Sequence, residues 1–120
     1  MTRILFVFTS ADKHLAGGQT GWWLAEGLCY QYCLHRATLT TFHLTAAHPY
    51  HVLSPHAEID FASPKGANPP VDTYSVEVGK QDPISSKFYE DPIVKEKLAN
   101  AKVLSEVDPS KYDAVFYPGG

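Results

Sequence analysis

Apolar residues gather early in the chain. Arg3 to Thr9 is a continuous run of strand formers without alternation, the pattern of a strand covered on both faces, as in a parallel sheet. Ser10 to Gln19, with Asp12, Gly17 and Gly18, reads as a loop. Thr20 is placed to cap a helix that begins with Gly21 and carries Trp22, Trp23, Leu24, Ala25 and Glu26. Gly27 to Thr45 shows no period of 2 or 3.6. It holds both cysteines, Cys29 and Cys33, is rich in threonine in its second half, and has no acidic residue. Ala57 to Ser63 alternates, with Ile59, Phe61 and Ser63 on one face, and predicts a second strand. Pro64 to Pro70 is a loop, and Val71 to Lys87 reads as polar and turn-rich. Asp91-Pro92 is a helix start, and the apolar spacing predicts a helix ending near Lys102. Val103 to Val107 reads as a short extended segment, Asp108-Pro109-Ser110 as a turn, and Tyr112 to Tyr117 as a third strand.

The order is strand, helix, strand, helix, strand. It predicts an α/β fold with right-handed crossovers, a parallel sheet and helices on both faces. In such sheets ligands bind beyond the carboxyl ends of the strands. Two features are expected there: the loop leading to Glu26, and Pro118-Gly119-Gly120.

Composition narrows the function classes. A chain of 120 residues fits one domain. A net charge of −3 gives no electrostatic footprint for nucleic acid or an anionic membrane. No apolar run approaches a bilayer span, and the N-terminal residues read as a strand rather than a secretory signal. Two cysteines are too few for a disulfide scaffold, so a reduced, cytoplasmic protein is the expectation.

Five pieces of the chain resemble the DJ-1/PfpI superfamily, in its Hsp31-like branch. They are ILFVFTS (Ile4 to Ser10), TGWWLAE (Thr20 to Glu26), AAHPY (Ala46 to Tyr50), AEIDFASPKGANPPVD (Ala57 to Asp72) and LSEVDPSKYDAVFYPGG (Leu104 to Gly120). The resemblance implies a flavodoxin-like parallel sheet sandwich of the class I glutamine amidotransferase type, here incomplete, with about three strands and two to three helices. The 120 residues would be the N-terminal part of one such domain. It also implies a glutathione-independent glyoxalase (glyoxalase III, or D-lactate dehydratase) that converts methylglyoxal to D-lactate. Such an enzyme needs no cofactor and no metal, acts on a small 2-oxoaldehyde, and in full-length members can form a homodimer. A non-enzymatic stress-response holdase, or an inactive paralogue that binds a partner, is the alternative.

On that resemblance Glu26 is the catalytic carboxylate. Gly119 and Gly120 are the oxyanion and substrate-binding glycines, and His48 lines the pocket. Read from the residues alone, Glu26 is an exposed helix glutamate before it is a catalytic one, and Pro118-Gly119-Gly120 reads as an ordinary turn as well as an oxyanion site. His48 and His51 fit ordinary packing and turn roles as well. Cys29 and Cys33 lie three and seven residues after Glu26, but a helix-interior cysteine lacks the elbow that exposes a nucleophile beside oxyanion donors. With His35 and His43 they do not match a zinc spacing. The resemblance places the nucleophilic cysteine and its histidine after the glycine pair, beyond these 120 residues.

Gly27 to Thr45 falls outside the resemblance. Excising it joins Glu26 to Ala46 and gives WWLAEAAHPY. The stretch is therefore expected to be a translated intron in an early-ended gene product. Sequencing the mature transcript checks this: the nineteen codons of residues 27–45 are expected to be missing from it.

Overall fold

A computed structural model describes residues 1–24 and 46–118. Four parallel strands form one sheet in the order β3-β2-β1-β4. They are β1 (Thr2–Val7), β2 (Ala57–Ser63), β3 (Lys102–Val103) and β4 (Ala114–Phe116). Four helices accompany them: α1 (Ala47–Leu53), α2 (Thr73–Gly79), α3 (Pro83–Glu90) and α4 (Pro92–Ala99). This is the expected α/β parallel-sheet architecture, with one short strand more than the pattern predicts. β3 has only two residues, too few for any periodicity to register.

β1 lies between two partners. It pairs with β2 from Thr2↔Ala57 to Val7↔Ala62, and with β4 from Ile4↔Ala114 to Phe6↔Phe116. Its unalternated sequence follows from this position. Ile4 and Phe6 face a large core with Phe8, Trp22, Ile59, Phe61, Val76, Phe88 and Val94. Leu5 and Val7 face the other way, against Ala62, with Leu104, Val107 and Tyr112 packed beside them. The large core is mostly aromatic: Phe6 stacks on Phe61 at 6.0 Å, and Phe8 meets Trp22 edge-on at 5.2 Å.

The two faces are covered differently. Residues of all four helices pack into the large core, whereas the smaller cluster is covered by the turns that join β3 to β4. Helices on both faces were expected; among the described residues they sit on one.

The stretch between Val71 and Lys87 is also more ordered than its polarity suggests. Asp72 caps α2 by accepting from the Ser75 amide, and Asp82 caps α3 by accepting from the Ile84 and Ser85 amides. Asp82-Pro83 repeats the start signal of Asp91-Pro92, whose aspartate accepts from the Ile93 amide at α4. Both helices are short and half polar, so their caps rather than an apolar stripe announce them.

The largest departure concerns Thr20 to Leu24. No helix starts at Thr20. Trp22 instead runs parallel to Val71 as an isolated bridge, with the Trp22 amide donating to the Pro70 carbonyl (2.8 Å) and the Asp72 amide to the Trp22 carbonyl (2.9 Å). Gly21 is the cause: a Cβ there would lie 2.3 Å from the Pro70 carbonyl oxygen, so the two backbones touch where only glycine fits. Gly66, at φ +85°, turns the loop after β2 in the left-handed region, and a side chain there would meet Val103.

Gly21→Ala is expected to destabilise the protein by about 1–3 kcal/mol, because rigid backbone rather than a movable side chain must yield. The urea midpoint of unfolding checks this, and Gly17→Ala, where nothing lies within 4 Å, is the control for backbone conformation alone.

Candidate functional site

The carboxyl ends of β1 and β2 lead into two loops that are tied together. The Phe8 amide extends the β1–β2 pairing to the Ala62 carbonyl (2.8 Å). The Ser10 hydroxyl then accepts from the Lys65 amide (2.9 Å). Residues 12–20 fold back on themselves: the Thr20 amide reaches the Asp12 carbonyl, and Lys13 bridges Gln19 in antiparallel sense. The Gln19 carboxamide clamps the second loop. Its nitrogen donates to the carbonyls of Thr20 and Val71, and its oxygen accepts from the Thr73 amide and hydroxyl.

Below this clamp the tryptophans divide their roles. Trp22 is 1% exposed, and its indole N–H donates to the Pro69 carbonyl (3.1 Å), so it is a core residue with its polar atom satisfied. Trp23 is half-buried, with its ring 6.2 Å from Tyr74. Leu24 is buried, and its amide donates to the Ser75 hydroxyl (3.1 Å), which itself donates to the Asp72 carbonyl. The segment that leads to Glu26 is thus fixed by main-chain and side-chain bonds. Glu26, Gly119 and Gly120 themselves lie outside the described residues, as do Cys29, Cys33, His35 and His43.

His48 is described. It stands on the exposed side of α1, with its Nε2 2.6 Å from Asp82 Oδ2. The Ser85 hydroxyl donates to the same carboxylate oxygen. Burial pushes the Asp82 carboxyl up, but hydrogen bonds from Ser85 and His48 and the charge of His48 outweigh it, and the group titrates below the ordinary 3.8. Ser85 and His48 both turn to the aspartate and not to one another. The imidazole therefore does not act as a base on the hydroxyl, and the trio ties α1 to the start of α3. Sequence reading singles out His48 without its partner. The Asp82-Pro83 cap is the signal that places a carboxylate there.

A second cluster went unread in the sequence. On the sheet face opposite the helices, Asp60 Oδ2 accepts from Lys102 Nζ (2.6 Å), the Tyr112 hydroxyl (2.7 Å) and Arg3 (3.1 Å). Arg3 also pairs with Glu58 at 3.4 Å. Lys102 Nζ donates to the Tyr112 hydroxyl, and both cations lie within 6 Å of the Tyr112 ring centre. Burial opposes ionisation of Asp60, but the bonds from Lys102 and Tyr112 and the two positive charges prevail, so its carboxyl titrates below 3.8. The hydrogen bond to Asp60 raises Lys102, and burial raises Tyr112. Both keep their protons at neutral pH. Neither is a nucleophile or a base, and the cluster holds the strands together.

A cleft of about 330 Å³ opens beside this cluster, between β2 and α4, lined by Phe61, Ile93, Lys97 and Asn100 among others. Its amines are already engaged: Lys97 Nζ donates to the Ile59 carbonyl (2.7 Å), and Lys102 to Asp60. Among the described residues no three His, Cys, Asp or Glu side chains converge as a metal site would require, and no helix is long and apolar enough to cross a membrane.

Because the folded pKa of Asp60 is depressed, its contribution to stability is full above the ordinary value of 3.8 and is lost as pH falls through the lower folded value. Melting temperature measured from pH 5 down to about 2 is expected to fall less steeply in Asp60→Asn than in the parent. Equal slopes would show that the cluster contributes no pH-dependent stability.

No protein-family model matches the chain, and no curated protein matches it. Solved structures do. Rapid Encystment Protein 24 KDa (REP24) of Francisella tularensis is 28% identical, with a TM-score of 0.68 over 99% of this chain and 44% of its own. Glyoxalase III from Candida albicans is 22% identical, with a TM-score of 0.63 over 96% of this chain and 42% of its own. The chain spans less than half the length of either. Together with the motifs at Thr20 to Glu26, Ala57 to Asp72 and Leu104 to Gly120, these likenesses relate it to the DJ-1/PfpI superfamily, on the Hsp31-like side.

Proposed function

We propose that these 120 residues supply the carboxylate half of a glyoxalase-type site that turns methylglyoxal and water into D-lactate without glutathione. The observation that carries this reading is the likeness to glyoxalase III across 96% of the chain, joined to the fixed approach to Glu26 at the carboxyl end of the sheet. In the proposed reaction a thiolate adds to the aldehyde carbon and forms a hemithioacetal. Glu26 takes the proton from that carbon and delivers it to the neighbouring one, leaving a thioester that water hydrolyses to the hydroxy acid and the free thiol. The thiol comes from outside these residues. Gly119 and Gly120 fit the part of oxyanion donors, because glycine lets a main-chain N–H approach the reacting oxygen.

The rival reading is a holdase. The face opposite the helices favours it: Val115 on β4 is 48% exposed and Tyr117 just after it 67%. Such surface suits transient contact with unfolded chains.

Methylglyoxal consumption in the absence of glutathione separates the two. The 120-residue chain is expected to show none. In a longer product of the same gene that carries the thiol, Glu26→Gln is expected to lower kcat by about 10²–10⁴-fold. Turnover by the 120-residue chain that is indifferent to Glu26→Gln sinks the assignment. Suppression of client aggregation that is equally indifferent supports the holdase.

A further inference from the structure

The beginning of α1 lacks the marks of a helix start. Ala46, at the capping position, has φ −70° and ψ −39°, values of a helix interior, and no side chain caps it. Its amide donates to the Trp23 carbonyl (3.4 Å), and its carbonyl accepts from the Tyr50 amide (3.2 Å). The Tyr50 carbonyl in turn accepts from Ser54. Tyr50 and Ser54 follow their acceptors by four residues, the repeat of an α-helix. The bond from Ala46 to Trp23 belongs to the same ladder in space, but the two residues are twenty-three positions apart in the chain.

Helical register leaves room for two residues between Leu24 and Ala46; the chain has twenty-one there. The surplus is nineteen. The first turn of the implied helix is already furnished on the Leu24 side. Trp23 offers the carbonyl of an N-cap, and the Leu24 amide, which a helix leaves without an internal partner, is satisfied by Ser75. Leu24, Ala46 and Ala47 are buried in the same core.

We infer that nineteen residues between Leu24 and Ala46 are an insertion into one helix, and that the chain without residues 27–45 closes into a continuous helix from Leu24 to Leu53. Leu24, Ala25 and Glu26 followed directly by residues 46–53 make about three turns. In that helix Glu26 precedes His48 by three positions, so the two share a face. The surplus of nineteen stands on the main-chain bonds, the bounds 27–45 on the join of Glu26 to Ala46, and neither depends on the glyoxalase reading.

Three deletions test it in the full chain. Removal of 27–45 keeps the register. Removal of 27–44 or of 26–45 leaves one residue too many or too few, and turns α1 by about 100° relative to Leu24. Deletion of 27–45 is expected to raise the melting temperature by something on the order of 5 °C, since the number of residues joining Leu24 to Ala46 falls from twenty-one to two. The two out-of-register deletions are expected to melt below the parent, because Ala47 and Tyr50 leave the core. Equal stability of all three deletions overturns the inference, since α1 would then be tethered rather than continuous. So does a 27–45 deletion that melts below the parent.

Discussion

A parallel sheet cannot be closed by tight turns, and that constraint shapes this molecule. β1 is flanked by β2 and β4, both parallel to it, so the chain must travel back the length of the sheet before each pairing. The return from β1 to β2 passes through the pinned segment Trp22–Leu24 and α1. The return from β2 to β4 uses α2, α3, α4 and the two 3₁₀ turns at Leu104–Glu106 and Pro109–Lys111. The core is filled by what these returns bring. Trp22 lands on Phe8, Tyr50 on Phe6 and Phe61, and Phe88 on Tyr50.

The two faces of the sheet are stabilised by different physics. One is an aromatic and aliphatic core from which water is excluded. The other holds a few small aliphatic contacts and one buried-edge carboxylate, Asp60, on which Arg3, Lys102 and Tyr112 converge from three segments of the chain. A single oxygen with three donors is geometrically demanding. It ties β2 to β1, to β3 and to the connection that leads to β4.

Sequence reading recovers what burial and local chemistry write into adjacent residues. The unalternated run of β1, the alternation of Ala57 to Ser63 and the Asp91-Pro92 start each appear where expected. It fails where the cause is distant. Gly21 is followed by helix-compatible residues, and nothing nearby reveals that Pro70 will press against it. Asp60 lies in a strand like any half-exposed aspartate, while its partners come from residues 3, 102 and 112. α2 and α3 are hidden by polar composition, although Asp82-Pro83 could have marked the second. Of the candidate site, the approach to Glu26 and the surroundings of His48 are described. Glu26 and the glycine pair lie outside the described residues.

The ammonium of Lys97 on the Ile59 carbonyl has a meaning for assembly. β3 covers only Ala62 and Ser63, so the outer side of β2 before them presents bare main chain, and Lys97 occupies it with a charge. A strand arriving from solution meets that ammonium in place of an open acceptor.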